Sequence, residues 1–154
     1  MTRAGLVLLA TLGSVALLGG AFAFQFLGGM PPCHLCLLQR WPHGAAIVIG
    51  LLALIIPGRL LPWAGALAAA TTSGIGLYHT GVERGWFAGP TSCTSSMATQ
   101  GVSSKDLLAQ IMTAPVVRCD QPAWVFLHLS MASWNAIFSA VLVLIWIAAA
   151  LRRA

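Results

Sequence analysis

Apolar residues in this chain gather into four long runs, at about 4–27, 35–56, 60–80 and 124–151, separated by two short polar breaks and one long one. Each run is near or above the roughly 20 residues that an α-helix needs to cross the hydrocarbon of a bilayer. A spanning segment must satisfy its own backbone there, and a helix does so. The pattern predicts an all-α integral membrane protein: one membrane domain over 1–154, a four-transmembrane-helix bundle. In the second run, counting from His43 leaves only about fourteen residues before Pro57, too few to span. Either that helix starts near Cys36 or it only partly crosses; the first fits better, and it sets Arg40 and Trp41 at the interface and Pro42 in an early turn, where a proline is tolerated. In the third run Ala66, Ala70 and Gly74 recur every four residues, a small-residue stripe that lets a neighbouring backbone approach.

The breaks predict loops at about 28–34 and 81–123. The longer one is patterned. Ser103 with Asp106 resembles a capping box, and Leu107, Leu108, Ile111 and Met112 share one helical face before Pro115. This predicts a short helix on the membrane surface, either a mobile carrier of one disulfide or a simple staple over the bundle. At the other end of the chain Arg3, an apolar core and Ala21-Phe22-Ala23 resemble a cleavable secretory signal. The apolar run continues through Leu27, so a retained helix fits better.

Composition agrees with the hydropathy pattern. Hydrophobic residues make up 58% of the chain and charged ones 7%, against roughly 25% charged in a soluble domain. The net charge of +5 comes from eight scattered Lys and Arg with no basic run, which argues against nucleic acid as a partner. Arg3, Arg59, Arg152 and Arg153 lie at one set of helix ends, so the positive-inside rule predicts that both termini are cytoplasmic. The long loop holds all three acids, Glu83, Asp106 and Asp120, balanced by Arg84, Lys105 and Arg118. Trp41, Trp86 and Trp124 flank the same boundary, as an aromatic belt would.

That orientation puts all four cysteines on the oxidising side of the membrane, where disulfides form and persist. Cys33 and Cys36 form a C-x-x-C; Cys93 and Cys119 lie in the long loop. Thiol–disulfide exchange needs an attacking thiolate, a disulfide within reach and a resolving thiol, and a C-x-x-C supplies the last two within one turn. Cys36 near a helix N-terminus, with Arg40 one turn on, is placed to be a stabilised thiolate. An arginine at membrane depth calls for a functional role, although snorkelling to the interface is the plainer account. Cys93 and Cys119 could equally form a structural disulfide closing about 27 residues, worth about 3.5 kcal/mol in the loop-entropy account. Four cysteines permit three pairings.

A structural zinc site is disfavoured because Cys93 and Cys119 are far apart in the chain, and no metal is expected. A c-type haem is disfavoured because Leu37, not histidine, follows Cys36. His43, His79 and His128 lie toward outer helix ends, where haem ligands or quinone contacts could sit; His79, next to Tyr78 at the end of the third run, is the strongest of them.

The string Cys33-His34-Leu35-Cys36-Leu37-Leu38-Gln39-Arg40, the run Tyr78-His79-Thr80-Gly81-Val82-Glu83, Cys93, and Val117-Arg118-Cys119-Asp120 together resemble the disulfide bond formation protein B family, DsbB, over nearly the whole chain. The resemblance implies a bacterial inner-membrane thiol:quinone oxidoreductase that reoxidises a periplasmic, DsbA-like thioredoxin-fold carrier and delivers electrons to the respiratory quinone pool, as ubiquinone or menaquinone. It implies that Cys93 takes the mixed disulfide with Cys119 as its partner, that Cys33 exchanges with that pair, and that Cys36 faces the quinone. Arg40, and less directly His79, would hold the ring. The short spacing from Gly89-Pro90 to Cys93 departs from longer members and leaves the choice of carrier open. Two rival readings are a vitamin K epoxide reductase-like enzyme, in which the membrane C-x-x-C is expected after the loop pair, and a non-enzymatic scaffold with structural disulfides.

Overall fold

The computed structural model describes residues 1–90 and 118–152. Four helices dominate: α1 (Arg3–Phe26), α2 (His34–Ile55), α3 (Leu60–Glu83) and α4 (Met131–Leu151). Each is long and apolar enough to cross a membrane, and at 1.5 Å per residue each is about 30 Å or more in length. The helices form a ring in which α3 packs most extensively on α4 and then on α2, while α1 closes the ring against α2 and α4. Arg3 donates a hydrogen bond to the carbonyl of Gly58, tying the start of α1 to the α2–α3 turn.

The bundle is built inside out relative to a soluble one. Leu12, Leu51, Ile55, Leu67, Leu77 and Leu144 point outward, where lipid would meet them. Ser14, Thr72, Ser139 and Gln39 are buried between helices, as expected where helix contacts depend on small and polar side chains. At the heart of the bundle lies Trp146, fully buried. It fits because Gly65 faces it: a Cβ there would come within 2.6 Å of the indole.

The small-residue stripe lies elsewhere on α3 than the sequence suggested. Ala66 is buried, but Ala70 and Gly74 are exposed. The packed row runs instead through Gly65, Ala69, Thr72, Ser73 and Gly76, because a straight helix needs alternating steps of three and four to stay on one face.

Helix boundaries also moved, for identifiable reasons. α2 runs through Pro42 and starts at His34, two residues before Cys36, because the Cys33 side chain accepts from the Cys36 backbone N–H and caps the helix. α3 continues past Thr80 to Glu83 and stops at Gly85, which adopts φ +71°. Trp86 donates to the Gly81 carbonyl and Gly85 to that of Val82, the two bonds of a Schellman stop. α4 begins at Met131, not near 124, capped by the Ser130 side chain. The residues before it form a two-strand hairpin, β1 (Val125–Phe126) and β2 (Leu129–Ser130), turned by Leu127 and His128, both at positive φ. His128 is therefore in a turn and not at a helix end. The surface helix anticipated around 103–115 lies outside the described residues.

Candidate functional site

The Cys33–Cys36 pair stands at the N-terminus of α2. Both are free thiols, with sulfurs 2.7 Å apart. Cys33 is the capping residue itself and is buried; Cys36 is partly exposed. The hydrogen bond to Cys36, together with burial, holds the Cys33 thiol well above the ordinary thiol range.

Cys119 arrives from the long loop and packs against this pair. It is 1% exposed and shares a buried cluster with Cys33, Leu35 and Val82, with Cys36 at the edge. It is disulfide-bonded. Cys93 lies outside the described residues. On either side of Cys119, Arg118 and Asp120 form an exposed two-pronged ion pair at 2.9 and 2.5 Å, which holds the Asp120 carboxyl below its usual range.

His79 sits over the dithiol from α3. Its Nε2 is 3.6 Å from Cys33 Sγ and 3.8 Å from a Glu83 carboxylate oxygen. Glu83 is nearly buried because α3 extends far enough to carry it, four residues after His79 and on the same face. The ring tautomer follows from the neighbours. Gln39 Nε2 donates to the Leu35 carbonyl at 3.2 Å and to His79 Nδ1 at 3.0 Å. Nδ1 is therefore the acceptor, and the network assigns the proton to Nε2, facing Cys33 and Glu83.

Arg40 lies one turn beyond Cys36. Its guanidinium donates to Gln25 Oε1 at 2.5 Å and to the Ala21 carbonyl at 3.3 Å, and covers the Phe22 ring at 4.8 Å. Arg40 is thus fastened to α1. Its Nε has no hydrogen-bond partner among the described residues.

Cys36, Arg40 and His79 all border one cavity of about 400 Å³ between α1, α2 and α4. One wall is a continuous aromatic strip in which Phe24, Trp124, Phe126, Trp134 and Phe138 touch in sequence, with ring centres 5.4–6.4 Å apart. Trp134 Nε1 donates to the Phe126 carbonyl, which fixes the hairpin against α4. A mostly apolar cleft with a few convergent polar groups is the usual form of a small-molecule site, and this one has the flat walls and hydrogen-bond donor that a planar ring with carbonyl oxygens requires.

The sequence reading brought Cys33, Cys36, Arg40 and His79 to attention, and the structure assembles them. It missed Gln39, Glu83 and Asn135, although Gln39 and Asn135 are amides within spanning segments and that alone is a signal. It also expected no metal, whereas the donor atoms of Cys33, Cys36 and His79 lie within 4.8 Å of one another, a soft set suited to zinc or copper(I).

The sequence model of the family described as "Disulfide bond formation protein DsbB" matches residues 3–149. A protein of Rickettsia prowazekii (strain Madrid E), described as uncharacterized, is 30% identical over 136 residues, covering 85% of this chain and 78% of the relative. No solved structure matches.

Proposed function

This chain belongs to the DsbB family, membrane oxidoreductases of disulfide bond formation, and from that premise we propose that it reoxidises a periplasmic, DsbA-like dithiol carrier and passes the electrons to a membrane quinone. The observation that carries the reading is the position of Cys119. It is buried against a free, hydrogen-bonded C-x-x-C pair whose second thiol borders an aromatic cavity.

In this relay Cys93 and Cys119 form the loop disulfide. A thiolate of the carrier attacks Cys93 and displaces Cys119, and the carrier's second thiol then resolves the mixed disulfide. The carrier leaves oxidised, and Cys93 and Cys119 are left reduced. Cys119 next attacks Cys33 of a Cys33–Cys36 disulfide, and Cys36 leaves as the thiolate. Attack of Cys93 on Cys119 restores the loop disulfide and expels Cys33 as a thiolate, to which the His79 Nε2–H donates a hydrogen bond. The C-x-x-C now holds the two electrons, with the loop pair oxidised.

A quinone, when bound, supplies the two-electron, two-proton acceptor that returns Cys33 and Cys36 to the disulfide. Such an acceptor is needed because a DsbA-type carrier is itself a strong oxidant, near about −120 mV, whereas ordinary structural disulfides lie far lower. The ring fits the aromatic wall, and Arg40 offers its guanidinium to a carbonyl oxygen. Gln25 and the Ala21 carbonyl keep that guanidinium in place, so it does not need to reorganise when the ring arrives. The membrane is the bacterial inner membrane, with both termini cytoplasmic and the cysteines periplasmic. Membership of the family sets aside the vitamin K epoxide reductase-like reading.

The test is quinone reduction by the purified protein on addition of a reduced thioredoxin-fold carrier. Turnover that Cys36→Ser and Cys93→Ser each abolish supports the relay. Absence of turnover with both ubiquinone and menaquinone analogues would overturn it and favour a scaffold with structural disulfides.

A further inference from the structure

Farther along α2, three residues past Arg40 and on the same face, His43 also borders the cavity. Its side chain is 3% exposed, and its Nε2 lies 3.0 Å from Asn135 Oδ1 and 3.5 Å from Ser139 Oγ. The direction of the first bond is fixed by what Asn135 does elsewhere. Its Nδ2 donates to Gln39 Oε1 at 2.6 Å and to Thr72 Oγ1 at 3.2 Å. Thr72 in turn donates to the Gln39 backbone carbonyl at 3.0 Å, so Thr72 can accept from Asn135. Asn135 Oδ1 is therefore an acceptor, and His43 Nε2 carries the proton. A neutral imidazole has one N–H, so Nδ1 presents a lone pair. It is a buried atom with no hydrogen-bond partner among the described residues. Buried polar atoms are nearly always paired, and this orphan belongs to a residue of the cavity lining, next to the space a ligand would fill.

We propose that His43 Nδ1 accepts a hydrogen bond from a ring hydroxyl of the hydroquinone, so that the cavity binds the reduced form in preference to the oxidised one. The inference rests on the quinone reading above. A quinone offers only carbonyl oxygens, which cannot donate to a lone pair. Taking up two electrons and two protons from the dithiol turns both oxygens into hydroxyls, which can. Arg40 has the opposite character, since a guanidinium donates and never accepts. The two residues on one face of α2 thus respond to different states of one ligand, Arg40 to a carbonyl oxygen and His43 to a hydroxyl. Binding the product more tightly than the reactant raises the driving force for ring reduction, by the same linkage through which any ligand stabilises the state it prefers. The Gln39–Asn135 pair matters here because it connects His79 to His43 and holds the tautomer of each.

The experiment uses the full chain carrying Cys33→Ser and Cys36→Ser, which cannot turn the ring over, reconstituted in lipid nanodiscs. A short-tailed ubiquinone analogue and its hydroquinone are titrated separately under anaerobic conditions by calorimetry. We expect the hydroquinone to bind more tightly. His43→Phe should weaken it about tenfold, the worth of one desolvated hydrogen bond, while the quinone shifts less than about twofold. His43→Gln, which keeps both a donor and an acceptor, should retain most of the preference. Equal weakening of the two forms, or none, overturns the inference. If His43→Phe does not fold, the wild-type ratio decides, because a hydroquinone affinity no greater than that of the quinone also overturns it. Binding of neither form would sink the quinone reading as well, whereas binding of both with an unchanged ratio removes the His43 role alone.

Discussion

Cys33 Sγ and His79 Nε2 stand 3.6 Å apart, joined across 46 positions of sequence, and the Gln39 amide on Nδ1 assigns the ring proton to Nε2. A donor in that place acts when Cys33 leaves as a thiolate. Replacing it should slow resolution of a Cys33–Cys119 mixed disulfide without preventing its formation. We expect His79→Leu to slow this step at least about tenfold, the worth of one hydrogen bond to a charged group. Rapid quench and alkylation of single-turnover mixtures should show the mixed species accumulating. Unchanged resolution would mean that the ring only packs there.

Arg40 is held by two hydrogen bonds to α1 and an aromatic face, so its loss should be felt in ring binding more than in folding. Arg40→Ala should raise the quinone KM at least about tenfold and leave the thermal midpoint within a few degrees. Lysine should not rescue it, since an ammonium is a point charge and cannot reproduce the planar fork. An unaltered KM would assign Arg40 to structure.

Three soft donors within 4.8 Å carry a consequence for inhibition. Zn²⁺ at micromolar concentration should bind the protein when Cys33 and Cys36 are reduced, and should protect both thiols from alkylation. The same ion should have no such effect once they are joined. His79→Leu should weaken the protection by removing one of three ligands. Alkylation at equal rates with and without zinc would refute this.

Gly65 lies under the Trp146 indole with no room for a methyl group. Gly65→Ala should cost about 1–3 kcal/mol through overpacking, visible as a lower unfolding temperature in detergent. Gly74→Ala, on an exposed face, should cost almost nothing and gives the internal comparison.

Hydropathy made the four helices legible because a bilayer imposes a length and a composition that few other constraints mimic. The C-x-x-C and Arg40 were legible because their chemistry is unusual for a spanning segment. Glu83 was not, since its place depends on where α3 stops, and Gly85 decides that by a backbone bond pattern that no periodicity reveals. Gln39 and Asn135 are polar residues in apolar runs, but their partnership crosses 96 positions and depends on α2 and α4 facing each other across the ring of helices. The stripe at Ala66, Ala70 and Gly74 drifted because a strict period of four leaves the contact face after one turn.

The aromatic strip also sets a leash. Trp124 is packed between Phe24 and Phe126, and it lies only five positions after Cys119. Fully extended, those five Cα-to-Cα steps span about 17 Å. While Trp124 keeps its place, Cys119 can swing through no more than that radius. Any partner of Cys119 must therefore come to it, and one wall of the cavity serves as its anchor post.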